Sequence, residues 1–300
     1  MSILVTTPTG HIGSRVVERL LDANADVAVF ARNPDKLPER VRTRLRVHQG
    51  TLEDGAALER AARGADAVFY VIPPNYGVED WRGWQRELGR TAAAALKGAG
   101  VRRVVLLSSS GAQRDDLTAI SGLGEVERIL EGAIENVAHL RAGSFMENFL
   151  NSIPTIAEQG AIYGAFPADM PLPMVATRDI GDVAARWLRD AAWTGRNVVG
   201  VHGPADVTHA EAARVVGDAV GRPVRYVAVP PEAVRDSLLQ MGASRSVAEG
   251  YAGMLGGIAK VGPAYNAEPR TRETTTPTTM AEFARAVLRP ALEKAAGAAR

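Results

Sequence analysis

The sequence predicts an α/β fold, a doubly wound parallel sheet with helices on both faces, followed by a smaller C-terminal α/β cap. Three observations carry this. Residues 3 to 21 read as an apolar run, a two-glycine turn and an amphipathic helix; apolar runs then alternate with helical patterns as far as Arg141; and the layout changes beyond Leu150.

The β-branched run Ile3 to Val5 suits a buried parallel strand, and Ile12, Val16, Val17, Leu20 and Leu21 recur at helical spacing. Between them lie Gly10 and Gly13. Gly10 is expected to let the backbone turn tightly and a pyrophosphate approach the unpaired amides of the helix. Gly13 lacks the Cβ that would hold the helix off the strand. Thr7 stands where the first glycine of a GxxGxxG turn would be. The unit reads as a dinucleotide site, with an ordinary strand-to-helix turn as the plainer alternative.

Val27 to Ala31 forms the second strand, and its tip reads Ala31-Arg32-Asn33-Pro34-Asp35-Lys36. No carboxylate sits at that tip to accept from the 2′-hydroxyl of NAD. Arg32, with Lys36 a turn later, instead offers positive charge to the 2′-phosphate of NADP. NADP(H) is therefore expected over NAD(H), while solvated loop charges remain the alternative for both side chains.

Arg40, Arg42, Arg44 and Arg46 alternate with Val41, Leu45 and Val47 and read as the solvated face of a strand and its approach. Strands follow at Leu45 to His48, Ala67 to Ile72, Val104 to Leu107 and Val137 to Arg141, with helices at Gly55 to Ala62, Glu79 to Lys97 and Glu125 to Leu130. Right-handed crossovers align the carboxyl ends of such strands along one edge, where cofactor and substrate bind. Farther on, helices are expected at Asn151 to Gln159, at Asp179 to Arg189 with Thr177 as N-cap, and from Thr208 and Pro231. Ala161 to Tyr163, Val198 to Val201 and Val224 to Val229 read as strands, Thr274 to Thr279 as a linker, and Met280 to Leu288 as a last helix. The expected division is a cofactor domain of residues 1–150 plus about 177–202, and a substrate cap of about 151–176 and 203–300. Met170 to Met174 is the crossing point, because its prolines forbid regular structure.

Composition narrows the function classes. The chain has 300 residues, enough for one large domain with an attachment, and a formal net charge of +1 with no long basic run, which argues against direct nucleic-acid binding. Zero cysteines exclude disulfides, thiolate metal sites and thiol nucleophiles, and no metal is expected. No apolar stretch approaches the ~18 residues of a membrane span, and a core strand at the N-terminus leaves no room for a secretion signal. A cytoplasmic protein is expected, with a homodimer as the commonest soluble oligomer.

Five segments in order, TPTGHIG, ARNPDKL, GTLEDGAALERAARGADAVFYVIPP, RRVVLLSSSG and HLRAGSFMENF, resemble the NmrA-like group of atypical short-chain dehydrogenase/reductases. That group includes NADPH-dependent quinone reductases and NADP-sensing regulators. The resemblance implies a Rossmann fold in which Thr7, Thr9, Gly10, His11, Ile12 and Gly13 form the pyrophosphate turn and Arg32 meets the 2′-phosphate. It further implies Ile72, Pro73 and Pro74 on the ribose and nicotinamide side, Ser108 to Ser110 flanking the nicotinamide, and Gly143 among the cofactor residues. Phe145, Met146 and Asn148 would form the substrate wall. The chain also departs from the pattern, with Thr51 in place of the adenine-side Asp and Ala142 in place of the Pro of an RPG turn. Glu127 matches the helix glutamate of the group, but the lysine four residues before it is Leu123, and no tyrosine is followed four residues later by lysine.

Without a Tyr-Lys pair, reduction of an isolated ketone lacks the acid that its strongly basic alkoxide needs. A quinone leaves a delocalised hydroquinone anion of pKa roughly 10, which solvent can protonate. The expected function is NADPH-dependent hydride transfer to a quinone or similar conjugated carbonyl acceptor. The alternatives are a non-catalytic NADP(H)-sensing regulator, and a reductase or isomerase of specialised metabolism whose acid is Tyr226, Tyr251 or Tyr265. Tyr76 and Trp81 lie where a loop would cover the nicotinamide and touch substrate, surface anchoring being the plainer role. His11 and Ser110, with Ser109, are the remaining proton-donor candidates, against filler and turn roles. His139 reads as structural, Asn148 as substrate-binding or backbone-fixing, and Met241, Met254 and Leu255 as an apolar lid face, with ordinary packing the plainer role.

Overall fold

The computed structural model describes residues 1–298. The first half runs β1 (Ser2–Thr6), α1 (His11–Asp22), β2 (Asp26–Ala31), the single turn α2 (Glu39–Arg42), β3 (Arg46–Gln49), α3 (Gly55–Ala62), β4 (Ala67–Tyr70), α4 (Trp81–Gly98), β5 (Arg103–Ser109), α5 (Ala119–Glu131) and β6 (Asn136–Ala142). It continues with β7 (Ser144–Phe145), α6 (Ile153–Gln159), β8 (Ala161–Gly164), β9 (Leu172–Val175), α7 (Thr177–Arg189) and β10 (Arg196–Val201). The remainder is β11 (Asp206–Val207), α8 (His209–Val220), β12 (Arg225–Ala228), α9 (Pro231–Gln240), α10 (Arg245–Val261), α11 (Met280–Phe283) and α12 (Arg289–Ala298).

Seven strands make one sheet in the order β10-β6-β5-β4-β1-β2-β3, every pair parallel. Alternate residues of β1 serve opposite cores. Ile3 and Val5 pack with Val16, Leu20, Ile180 and Leu188 of α1 and α7, whereas Leu4 packs with Leu58, Leu88 and Leu130 of α3, α4 and α5. The doubly wound sheet thus follows from apolar residues on both faces of its strands. α1 and α7 approach closely at Gly181, where a Cβ would stand 2.7 Å from the Arg15 side chain. A third apolar cluster joins Met146, Phe149, Leu172, Met174, Val216, Phe283 and Leu288, beside the small sheets β11-β9-β7 and β12-β8.

Several expectations need correction. Arg40 and Arg42 lie in the helical turn α2 rather than on a strand approach, and Arg42 pairs with Asp35 at 3.0 Å. β4 stops at Tyr70, before Ile72. α5 begins at Ala119, well ahead of Glu125, because its glycines are packed: a Cβ at Gly124 would lie 2.0 Å from the Ala112 carbonyl oxygen. Thr177 is the first residue of α7, not its cap, and its N–H and hydroxyl both donate to Glu147. Leu172 to Val175 is a strand despite Pro173, whose ladder partner is Asp206, since β7 joins at Met174. Residues 274–279 are docked rather than free: Thr276 N–H donates to the His202 carbonyl at 2.7 Å and the Thr278 hydroxyl to Asp179 at 2.7 Å. α10 escapes the periodic reading because Gly250, Gly253, Gly256 and Gly257 dilute its apolar stripe, and the last helix continues past Leu288 through a π turn into α12.

His209, first in α8, stands among Phe149, Phe166 and Tyr226 at ring separations of 6.0, 5.3 and 4.8 Å, with Nδ1 unpartnered. Burial lowers its pKa to about 4, from an ordinary 6.5, and the positive end of the helix acts in the same direction. The unfolded chain therefore binds this proton first, and His209 removes stability as pH falls from about 6.5 to about 4, at up to about 1.4 kcal/mol per pH unit. Urea unfolding across that window is expected to be less pH-dependent in His209→Phe than in the parent. Equal slopes would contradict the assignment.

Candidate functional site

Strand order reverses at β1: the chain runs from β1 to β2 and β3 on one side, then to β4, β5 and β6 on the other. Such a switch point opens a crevice at the carboxyl ends of β1 and β4. Thr6 fixes its base, because its hydroxyl donates to the Phe69 carbonyl at 2.9 Å and accepts from Val71 N–H at 3.2 Å.

The turn that follows differs from expectation in one respect. Gly10 has φ −82 and the residue of positive φ is Thr7, at 51, so the tight bend belongs to Thr7. Gly13 is the glycine that packing demands, since a Cβ there would stand 2.2 Å from the Thr7 carbonyl oxygen. Gly10 caps α1 with no side-chain hydrogen bond, and no acidic residue occupies the first turn. The leading amides of α1, at His11, Ile12 and Gly13, thus lack a side-chain acceptor, and Thr9, Gly10 and His11 are exposed. That arrangement fits an anionic group. At the tip of β2, Arg32 and Lys36 are exposed, and the neighbouring Asp35 is engaged by Arg42. A dinucleotide carrying a 2′-phosphate suits these residues.

Ile72 is half-buried beyond β4, and Pro73, Pro74 and Tyr76 are exposed along the chain leaving it. Trp81 is 8% exposed and stacks on Tyr251 at 4.8 Å.

At the ends of β5 and β6 the three serines divide. Ser108 donates to Glu127 at 2.5 Å and is buried; Ser110 is 0% exposed and donates to the Arg141 carbonyl at 3.4 Å. Both point into the protein, and only Ser109 retains exposure. Arg141 lies between two carboxylates, donating to Glu127 at 2.6 and 3.0 Å and to Glu268 at 2.8 Å. Burial opposes its charge, yet the bonds to Glu127 and Glu268 hold its pKa above the ordinary value. Neither Arg141 nor Glu268 was foreseen, although an arginine inside the otherwise apolar run Val137 to Ala142 is a signal for a buried partner.

The other candidates sort by their contacts. Gly143 is required by close packing, since a Cβ would stand 1.9 Å from the Pro173 carbonyl oxygen. Phe145 is half-buried, Met146 buried and Asn148 exposed. His139 is fully buried and bonded to Glu131 at 2.8 Å, a structural role. Tyr226 is committed to the Phe166 backbone, donating at 2.9 Å and accepting at 3.2 Å. Burial raises the phenol pKa of Tyr226, Tyr251 and Tyr265 alike. Met241 is 72% exposed and so is not packing, whereas Met254 and Leu255 are half-buried. A groove of about 790 Å³ runs along the outer flank of α1, from Thr9 and His11 past Lys36 to Arg178 and Val287, and excludes Ile72 to Tyr76.

Among the described residues no helix is long and apolar enough to cross a membrane. A model of the NmrA-like family matches residues 1–284. A (4-alkanoyl-5-oxo-2,5-dihydrofuran-3-yl)methyl phosphate reductase of Streptomyces griseus is 34% identical over 79% of this chain and 80% of its own. An NAD(P)H azoreductase of Xenophilus azovorans is 31% identical over 82% and 84% of the two chains. In fold, the chain is similar to an NADPH-dependent quinone oxidoreductase of Escherichia coli crystallised with NADPH, at a TM-score of 0.80 and 24% identity, covering 95% and 99% of the chains.

Arg141→Met is expected to destabilise the protein by about 3–5 kcal/mol, because it leaves Glu127 and Glu268 buried without their cation. Urea unfolding measures this, and a loss of under about 1 kcal/mol would show that the cluster is not electrostatically closed.

Proposed function

The chain belongs to the NmrA-like family, and from that premise we propose that it is an NADPH-dependent oxidoreductase that reduces a quinone or similar conjugated carbonyl acceptor. The supporting observation is the switch-point crevice. One side of it offers unpartnered helix amides, and its far side offers no side chain poised as a strong acid. The amides of His11, Ile12 and Gly13 hold the pyrophosphate, Thr7 and Thr9 shape the turn, and Arg32 with Lys36 neutralises the 2′-phosphate. Ile72, Pro73 and Pro74 form the wall on the nicotinamide side, Ser109 flanks it, and Tyr76, Phe145 and Asn148 face the acceptor.

When bound, the nicotinamide supplies the hydride. The protein's own part is then positional: the walls hold acceptor and donor at van der Waals contact and exclude water from between them. Hydride delivered to a carbonyl oxygen of a quinone leaves the delocalised hydroquinone anion, whose conjugate acid has a pKa of roughly 10, and solvent protonates it. Ser108 and Ser110, turned inward, take no part. The reductases among the relatives support a small-molecule acceptor, and their substrates differ from one another.

Purified protein is expected to oxidise NADPH with quinones and to reduce isolated ketones at least about a hundredfold more slowly, the deficit of a missing general acid. Arg32→Ala is expected to raise the Kd of NADPH by about tenfold or more and leave that of NADH unchanged. Equal NADPH and NADH affinity in the parent would remove the Arg32 role, and tight NADPH binding without turnover of any acceptor would replace the reductase by a cofactor sensor.

A further inference from the structure

Tyr76 is 46% exposed on the chain that leaves β4, the stretch proposed above as the nicotinamide-side wall. Its ring is nevertheless held. Tyr251 of α10 stacks on it at 6.1 Å and 15°, and on the buried Trp81 at 4.8 Å and 21°. The backbone around it is fastened to the start of α10: Ser244 N–H donates to the Tyr76 carbonyl at 2.8 Å, the Ser244 hydroxyl to the Val78 carbonyl at 2.5 Å, and Trp81 N–H to Ser246 at 3.0 Å.

α10 can lie this close because two of its glycines face the support. A Cβ at Gly250 would stand 2.8 Å from Trp81, and one at Gly253 would stand 3.0 Å from Thr118, whose hydroxyl donates to the Gly250 carbonyl at 2.7 Å. Tyr251 is therefore positioned by packing from below, and Tyr76 by Tyr251. An aromatic ring left open on one side and fixed on the other has already lost the freedom that binding would cost.

We infer that the open face of Tyr76, backed by Tyr251 and Trp81, is the platform on which the acceptor lies, so that the site selects planar aromatic acceptors over non-planar conjugated ones. That the ligand accepts electrons rests on the reductase reading above; the platform itself does not. A flat π system gains an offset stack on Tyr76, whereas a puckered enone cannot lie against the ring. Tyr251 acts through Tyr76 and is a positioning residue.

The test uses the full chain saturated with NADP⁺, titrated calorimetrically with naphthol, a flat aromatic that accepts no hydride. Tyr76→Leu is expected to weaken naphthol binding roughly three- to tenfold, the strength of one aromatic stack, with the NADP⁺ affinity unmoved. Tyr251→Leu is expected to do the same, and Tyr251→Phe, which keeps the ring, to retain the affinity that Tyr251→Leu loses. In turnover, Tyr76→Leu should raise the KM of menadione by a similar factor and that of cyclohexenone by less. Tyr76 lies on an exposed loop, so its variant carries the test should Tyr251→Leu not fold. Naphthol binding that ignores Tyr76→Leu would overturn the platform even if quinones are reduced. Naphthol binding that responds, in a protein that reduces nothing, would uphold the platform and remove the reductase reading alone.

Discussion

The carboxyl edge of the sheet is organised by one largely buried cation, the Arg141 guanidinium between Glu127 and Glu268. Removing such ions from water costs several kcal/mol each, and the cost is offset only when charges meet with good hydrogen-bond geometry. Arg141 comes from β6, Glu127 from α5 and Glu268 from the chain after α10, so three distant stretches must converge for any one of them to be tolerated there. Residues 274–278 also cross the edge of the sheet, where Thr276 meets His202 and Thr278 meets Asp179. The C-terminal third is thereby fixed against the edge at which the first half of the chain builds its crevice.

The same cluster limits the chemistry available. Glu127 takes the Ser108 hydroxyl as well as Arg141, so the helix that could carry an acid toward the crevice is occupied in holding the strands together. Leu123, one turn earlier on that helix, supplies no proton. What remains at the edge is recognition: amides and cations on the side of β1 and β2, and apolar and aromatic surface beyond β4. A site of this kind suits an acceptor that stabilises its own negative charge once reduced, and is poorly matched to one that needs an acid at the moment of transfer.

The parts legible in the sequence were those governed by local period and steric exclusion. β1, α1 and β2 follow from apolar spacing, and Gly13 from a contact that permits no side chain. The tight turn expected at Gly10 falls instead on Thr7, at φ 51, because the bend comes before the glycine. α10 was invisible because the glycines that let it pack on Trp81 and Thr118 also erase its apolar stripe. The docking of residues 274–279 depends on partners far away in sequence, as does the meeting of Arg141 with Glu268, and no window along the chain contains both. Ser108 and Ser110 share this origin: the sequence shows three serines in a row, and only the register of β5 against β6 shows which ones turn inward.

In the proposed reaction, hydride transfer proceeds with no proton moved by the protein in the same step. The solvent deuterium isotope effect on kcat/KM for quinone reduction tests it most directly. A ratio near unity is expected, since the hydroquinone anion is protonated by solvent after transfer. A ratio of about twofold or more would mean that a proton is in flight with the hydride, and would contradict the account.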